Sequence, residues 1–374
     1  MRRLSVTTSV LALTAGLLAA AAPSAEASRP TPDYTVRIAA KTAELYYTPS
    51  ISASGRFVVY QDRDWTRQDD SDPEPKILLW DAKTRKSTLV TPKDSPQGVG
   101  FDRPSISPDG RYVVYVRDSD YLPRTPEGEG YSTSVLMWDR VTKKTRVVAP
   151  KAPLAYYDLP KVSAGGAFVG YAANNSKADQ VAKIWRRSTG VTTSIVVRPG
   201  AASTVVGSLS DDGRTVVLGV LKYDESDTSE TVLWDRVTHK TRSLGDRGGR
   251  ISGDGKLVAV NLHTAKKSSG IWHRSTGKIT KLHIPKRYNP LLKNGWSITA
   301  ISTTGRYVVV RTYGKTVRTR QLLLVDRSTG GAVVVSRTND GKLAKDAGWN
   351  AVDRKGTAVV FQDGHALRIR LTRK

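Results

Sequence analysis

One pattern of apolar and polar positions recurs seven times along the chain: an apolar residue, Ser or Asp, two variable residues, Gly, and then a run rich in β-branched and aromatic residues. The Ser or Asp of each repeat follows the preceding one by 42 to 56 residues. The seven positions are Ser52, Ser107, Ser163, Ser210, Ser252, Ser302 and Asp353. A period of this length predicts the blades of a β-propeller rather than the shorter coils of a solenoid.

Each repeat begins with a tight hairpin, which is clearest in Ser107-Pro108-Asp109-Gly110. Pro presets the turn, and Gly takes the left-handed conformation that a side chain resists. The run that follows, Tyr112 to Val116, is typical of a strand buried on both faces.

A second hairpin follows in six of the seven repeats, where an apolar strand ends in Trp or Val and Thr occurs four positions later. The pairs are Trp80 with Thr84, Trp138 with Thr142, Trp185 with Thr189, Trp234 with Thr238, Trp272 with Thr276, and Val325 with Thr329. Two hairpins make a four-stranded blade. The regular recurrence of the tryptophans predicts a structural role for them.

The seventh repeat ends too early to supply four strands, since the chain stops at Lys374. The segment from Tyr34 to Ala39 has an apolar β pattern, and we expect it to complete the last blade. The fold predicted is therefore all-β, a seven-bladed β-propeller closed by an N-terminal strand, which removes an exposed sheet edge.

These repeats resemble the WD-like propeller repeats of the TolB-like family, and Ser107-Pro108-Asp109-Gly110 with Trp138-Asp139 matches that family's pattern best. The resemblance covers the chain from about Tyr34 onward. It implies the fold more strongly than an activity, because the family includes periplasmic scaffolds, lyases and the propellers of serine peptidases. The sequence departs from this resemblance in showing no evident separate N-terminal domain, and it contains no G-x-S-x-G nucleophile motif, which propeller peptidases would need.

Residues 1–27 have the features of an export signal: Arg2 and Arg3, an apolar run from Val10 to Ala22, and Ala25-Glu26-Ala27. A membrane anchor is the competing interpretation, but the apolar run is shorter than the roughly 20 residues of a membrane span. We expect cleavage after Ala27, a propeller over residues 28–374, and a secreted protein, extracellular or associated with the cell wall, with no membrane span.

Composition narrows the classes of partner. The chain has no cysteine, so thiol chemistry is excluded and the fold depends on its core. Its formal net charge is +25, and +24 remains after loss of the signal. This excess favours an anionic partner, although a solvated basic surface would have the same composition. Export makes nucleic acid an unlikely partner.

No catalytic residue, metal ligand or cofactor is assigned. The five histidines are His239, His263, His273, His283 and His365. They do not share the spacing of a metal site on one element. Asp70, Asp72 and Glu74 alternate as calcium ligands do, but the loop glycine and terminal Glu of a calcium loop are absent, so a plain acidic loop is the alternative.

Charge is predicted to differ between the two faces of the propeller. The turns that follow the strand tryptophans are rich in Lys and Arg and predict a basic hairpin face, unless these residues serve solubility alone. On the opposite face, the loops 62–75, 118–131, 172–180 and 221–230 together hold 15 acidic and five basic residues. They predict an acidic arc.

Aromatic residues are predicted near the mouth of the central channel on this second face. Tyr46, Phe101, Tyr157 and Trp296 lie six positions before the motif Ser, and Trp349 lies close to the same position. With Asp118 and Asp120 of the acidic arc, they are the candidate ligand-binding residues, suited to a cationic or sugar-like ligand. Filling gaps between blades is the alternative role for these rings.

The function predicted from the sequence is a non-enzymatic, exported binding module for a protein or for a cell-envelope polysaccharide or polyanion. We expect a monomer. The alternative is a polysaccharide lyase or glycosidase with its site at the channel mouth.

Overall fold

Seven four-stranded antiparallel sheets form the seven blades of a β-propeller in the computed structural model. The structure describes residues 34–40, 47–62, 74–96, 98–125, 128–152, 155–174, 180–197, 203–221, 230–246, 248–261, 269–314, 319–364 and 366–372. Within blades 1 to 6 the strands follow one another across the sheet in chain order, whereas in blade 7 the order is β26, β27, β28 and then β1. The prediction of a seven-bladed, all-β fold is confirmed.

The strands of the first four blades, from inner to outer, have these bounds. Blade 1 contains β2 (Ser50–Ile51), β3 (Phe57–Asp62), β4 (Lys76–Asp81) and β5 (Lys86–Leu89). Blade 2 contains β6 (Phe101–Ile106), β7 (Tyr112–Thr125), β8 (Gly128–Asp139) and β9 (Thr145–Ala149). Blade 3 contains β10 (Tyr157–Val162), β11 (Phe168–Asn174), β12 (Gln180–Arg186) and β13 (Thr192–Ser194). Blade 4 contains β14 (Ser203–Leu209), β15 (Thr215–Leu221), β16 (Glu230–Asp235) and β17 (Thr241–Asp246).

The remaining blades follow the same order. Blade 5 contains β18 (Gly249–Ile251), β19 (Leu257–Val260), β20 (Gly270–His273) and β21 (Ile279–Lys281). Blade 6 contains β22 (Trp296–Ile301), β23 (Tyr307–Thr312), β24 (Leu322–Asp326) and β25 (Gly331–Val334). Blade 7 contains β26 (Ala347–Val352), β27 (Ala358–Asp363) and β28 (Ala366–Thr372), with β1 (Tyr34–Ala40) as its outer strand. Short helices cover Ala164–Gly166, Lys286–Tyr288 and Asn289–Leu292.

Strand β1 pairs antiparallel with β28, from Tyr34 opposite Thr372 to Ala40 opposite Leu367. The last blade thus combines strands from both ends of the described chain.

The motif Ser or Asp closes the inner hairpin of every blade. Its side-chain oxygen accepts a hydrogen bond from the backbone N–H five residues later, as in Tyr112 N to Ser107 Oγ at 2.9 Å and Ala358 N to Asp353 Oδ1 at 3.1 Å. All seven of these side chains are buried. Because a buried polar group needs a partner, only a short side chain with an oxygen fits this position.

The hydrophobic core lies between the blades. Seven clusters of buried apolar residues occur, one at each interface between neighbouring blades. The strand tryptophans are 2–4% exposed, and each packs toward the preceding blade; Trp138, for example, lies in the cluster that joins blades 1 and 2. Their predicted structural role is confirmed.

Candidate functional site at the channel mouth

One side chain from each blade lines the central channel at the position two residues before the motif Ser or Asp. These residues are Ser50, Ser105, Lys161, Ser208, Arg250, Ala300 and Ala351, and they border a cavity of about 210 Å³. The channel ring defined by these seven residues contains two cations and no carboxylate. Five of its members are small, so the two long side chains have room to extend.

Lys161 and Arg250 share this cavity without a carboxylate partner. Within the described chain, no ion pair joins either side chain to an Asp or Glu. Burial, together with the positive charge of Arg250, lowers the pKa of Lys161 from its ordinary value of 10.5 to about 8, against an opposing effect of Asp158. Arg250 is exposed within the channel. The ring itself therefore carries two cations and no carboxylate, whereas Asp211 lines a neighbouring cavity that Lys161 also borders.

A second cavity of about 240 Å³ opens above the ring, where blades 5, 6 and 7 meet. Its lining includes Arg250, Arg311, Tyr313 and Trp349, and no described lining residue is acidic. Trp349 is 41% exposed, and the Arg311 Cζ atom lies 5.9 Å from the centroid of the Tyr313 ring. We call this cavity the mouth pocket.

Amide side chains fix the wall of the mouth pocket. Asn261 Nδ2 donates to Ile298 O at 2.8 Å, and Ile298 N donates to Asn261 Oδ1 at 2.7 Å, which joins blade 5 to blade 6. Thr299 Oγ1 donates to Asn350 Oδ1 at 2.9 Å, which joins blade 6 to blade 7. The wall is thus held in place before any ligand binds.

The opposite side of the channel mouth carries charges that are already paired. Arg103 forms ion pairs with Asp102 and Asp158, and its Nη2 atom donates to Tyr156 Oη at 2.9 Å. Its Cζ atom lies 4.5 Å from the centroid of the Tyr47 ring. This group joins blades 1, 2 and 3 at the mouth.

Burial governs titration within the paired group. It raises the pKa of Asp102 to about 6, an effect that Arg103 opposes and that Asp118 and Asp158 reinforce. Burial also raises the pKa of Tyr47 to about 12.

The backbone is irregular at the same place: Arg103 adopts a positive φ of 51°, and the inner strand of blade 2 shifts register next to it, between Asp102 and Ser105.

The aromatic residues predicted at the mouth lie in different surroundings. Phe101 is 2% exposed and packs edge-on against Tyr115 in the core between blades 1 and 2, so its ring offers no surface to a ligand. Tyr157 is half-buried against Tyr171, and Trp296 is half-buried against the core between blades 5 and 6. For these rings the gap-filling alternative describes the contacts better.

Trp349 alone among the predicted aromatics lines the mouth pocket within the described chain. Asp118 is half-buried and raises the pKa of Asp102, so it belongs with the paired group. Tyr46, the side chain of Asp120 and most of the acidic arc lie outside the described residues. Lys161 and Arg250 were missed by the sequence reasoning, although a comparison of the residues two before each motif Ser or Asp would have marked both.

The basic hairpin face is largely occupied by structural contacts. Arg236 Nε donates to Gly213 O at 2.9 Å, and its Cζ atom lies 3.9 Å from the Phe168 ring centroid of the preceding blade. Arg140 makes the same pair of contacts with Gly110 O and with Phe57. Five described ion pairs add to these contacts: Arg56 with Asp81, Arg111 with Asp139, Arg214 with Asp235, Arg274 with Asp235, and Arg306 with Asp326.

The structure describes only some of the residues considered as metal ligands. No group of three or more described His, Cys, Asp or Glu side chains is arranged to hold a metal ion. Four of the residues considered as metal ligands lie outside the described residues: His263, His365, Asp70 and Asp72. Glu74 is described and lies just before β4 of blade 1. Over the described ranges, no helix has the length and apolar character to cross a membrane.

Comparison with known proteins supports the fold. No protein-family model and no curated protein match the chain. Among solved structures, the β-propeller domain of the trilobed protease from Pyrococcus furiosus matches with a TM-score of 0.57 at 14% identity, over 88% of this chain and 92% of that domain. A chain of the mitotic checkpoint complex matches with a TM-score of 0.56 at 12% identity, over 98% of this chain and 99% of the other.

TolB from Acinetobacter baumannii is also similar, with a TM-score of 0.42 at 13% identity, over 91% of this chain and 97% of that protein. Identities this low show the fold and nothing of the activity. The fold and the comparisons together define the protein as a seven-bladed β-propeller.

Proposed function

We propose that this chain is an exported, non-enzymatic propeller of the TolB-like type that binds a cell-envelope polymer at the mouth pocket. The observation that carries the proposal is the exposed ring of Trp349 beside Arg250 and Arg311 in a cavity without described acidic residues. A sugar ring stacks on an indole face, and a guanidinium group pairs with a carboxylate or phosphate. An acidic polysaccharide offers both groups along one chain.

The preformed wall of the mouth pocket supports binding without a large rearrangement. Asn261 and Asn350 already join neighbouring blades by hydrogen bonds, so little side-chain entropy is lost when a ligand enters. The repeat pattern of Ser107 to Gly110 with Trp138 supports the TolB-like assignment, and residues 1–27 support export. Purified secreted protein beginning at Ser28 would support the proposed cleavage; retention of residues 1–27 would contradict it.

A lyase or glycosidase remains the second candidate because of one observation. Asp102 has a pKa of about 6, and Asp158 lies on the other side of Arg103. Carboxyl groups with displaced pKa values serve in acid–base catalysis. Both carboxylates here are paired with Arg103, however, which favours a structural role.

Replacement of Trp349 tests the binding proposal. Trp349→Ala is expected to weaken binding of an acidic envelope polysaccharide about threefold to tenfold, since the stacking contact is lost, while Trp349→Phe retains most of it. Equilibrium binding to a panel of acidic and neutral polysaccharides gives the measurement, with Val237→Ala on the exposed hairpin face as the control. Unchanged affinity in Trp349→Ala, or release of shortened or unsaturated sugars, would overturn the proposal.

A further inference from the structure

The channel ring brings hydrogen-bond donors from several blades to one level. Lys161 and Arg250 contribute an ammonium and a guanidinium group, and Ser50 and Ser208 contribute hydroxyls. Ser50 Oγ accepts from Ile106 N at 3.2 Å, and Ser208 Oγ accepts from Ile251 N at 3.0 Å. A hydroxyl whose oxygen is held by an N–H group keeps its own hydrogen for another acceptor.

Blade 4 contributes a glycine to the cavity that the two cations border. Gly207 lies in the blade between those of Lys161 and Arg250 and also borders the cavity. A Cβ atom at Gly207 would stand 3.8 Å from Arg250 Nη1 and 3.3 Å from Val217 O. Arg250 Nη1 itself donates to Gly249 O at 3.3 Å, so the guanidinium lies back over blade 4 on the side of Lys161.

Lys161 and Arg250 border one cavity, so their like charges repel each other, and a bound negative charge would relieve that repulsion. Several arginines elsewhere in the described chain are paired with carboxylates, such as Arg103 with Asp102 and Asp158, and Arg320 with Asp346 at 2.7 Å. The channel ring departs from this arrangement in having two cations and no described carboxylate. A ligand that supplies the missing charge would be bound strongly for the same reason.

From this geometry we infer that the channel ring is a binding site for one doubly charged oxyanion, phosphate or a phosphate-like group, held between Lys161 and Arg250 and by the hydroxyls of Ser50 and Ser208. The cavity of about 210 Å³ has room for such an ion and several waters. The site is separate from the polymer contact proposed at Trp349, although Arg250 borders both cavities.

Isothermal titration of the protein with inorganic phosphate tests the inference. Binding is expected at one ion per chain, and Lys161→Gln is expected to weaken it about tenfold or more, the effect of losing one charge-assisted hydrogen bond. Lys256→Gln, an exposed lysine on the inner hairpin of blade 5, is the matched control and should bind as the unaltered protein does. Arg250→Gln should weaken binding to a similar extent.

Thermal unfolding gives a second, independent measurement of the same binding. Phosphate should raise the melting temperature of the unaltered protein and leave that of Lys161→Gln nearly unchanged, because only binding to the folded state stabilises it. A sulfate titration from pH 7 to 9.5 keeps the ligand charge constant. Affinity should fall as the pH passes about 8, where Lys161, facing Arg250 and Asp158, loses its proton.

Several outcomes would overturn the inference. Absence of phosphate binding, several equal weak sites, or equal losses in Lys161→Gln and Lys256→Gln would assign the anions to the basic surface instead. A glycerol phosphate oligomer separates the two proposals: if it binds while inorganic phosphate does not, and Trp349→Ala removes it, the channel ring has no site of its own. Phosphate binding that survives Trp349→Ala supports the ring even if the polymer proposal fails.

Discussion

Arg236 and Arg250 lie in neighbouring blades but in different surroundings. On the hairpin face, Arg236 bonds to Gly213 O and covers the Phe168 ring of the preceding blade. In the channel, Arg250 contacts its neighbour's carbonyl and faces Lys161 across an open cavity. Each arginine donates one described hydrogen bond to a backbone carbonyl, but the first covers an aromatic ring of the preceding blade whereas the second borders two cavities that a ligand can enter.

The difference between these two arginines indicates which positive charges are available to a ligand. Net charge alone would place anion binding on the hairpin face, where basic residues are most numerous. There, aspartates balance many of the arginines; hydrogen bonds from Arg111, for example, lower the pKa of Asp139 to about 2. The channel has fewer cations, but they lack such partners, so a ligand gains more from each contact.

The largest effect on stability is expected from a change that disturbs the packing of the hairpin face. Gly213 has a φ of 66°, and a Cβ atom there would lie 2.3 Å from Phe168 Cδ2. Gly213→Ala should lower the free energy of unfolding by about 2–5 kcal/mol, through left-handed strain and overpacking between blades 3 and 4. Urea denaturation provides the measurement.

Gly165→Ala is the control for Gly213→Ala. Gly165 has a similar φ of 62°, but nothing lies within 4 Å of its added Cβ atom. Only the conformational cost of about 1–2 kcal/mol should remain. Equal losses in the two variants would show that the contact between blades contributes nothing.

These two glycines also show what the sequence can predict. The turn pattern around Gly213 predicts its left-handed conformation, and the repeat period predicts the seven blades. The contact with Phe168 depends on how one blade is rotated against the next, which local patterns do not encode. The same limit applies to Phe101, whose strand position is evident but whose ring turns toward the core between blades.

The candidate site was less predictable than the fold. The sequence predicts candidate aromatic residues in the loops before the inner strands. Of those that the structure describes, only Trp349 lines the mouth pocket. The channel ring required the side-chain direction within each inner strand, where register shifts such as that between Asp158 and Lys161 interrupt simple alternation. Export, the envelope polymer and the monomeric state stay predictions.

The next largest effect on stability is expected from replacing Lys161 in the channel. This change should raise the free energy of unfolding rather than lower it. Lys161→Met keeps an apolar stem and removes a charge whose folded-state pKa is lowered to about 8. Because the unfolded chain holds this proton more tightly, the charge opposes folding below pH 8, and the penalty fades as the pH rises toward 10.5. The variant should be more stable at pH 7 by about 1–3 kcal/mol.

Urea unfolding at pH 7 and pH 10, without phosphate or sulfate, measures this effect. The stability difference between Lys161→Met and the unaltered protein should shrink at the higher pH. Lys256→Met, at an exposed site, should show no such trend. A loss of stability in Lys161→Met at pH 7 would mean that the lysine is paired and that the contrast with the hairpin face is unfounded.

The smallest effect on stability is expected from replacing Arg236. Arg236→Gln removes the cation over Phe168 and the bond to Gly213 O, so the free energy of unfolding should fall by about 1–2 kcal/mol. Lys240→Gln, an exposed change on the same outer turn, should have almost no effect. Phosphate affinity should be the same in both variants. If Arg236→Gln weakened phosphate binding as much as Arg250→Gln, the hairpin face would take part in anion binding, and charge pairing would no longer separate the two regions.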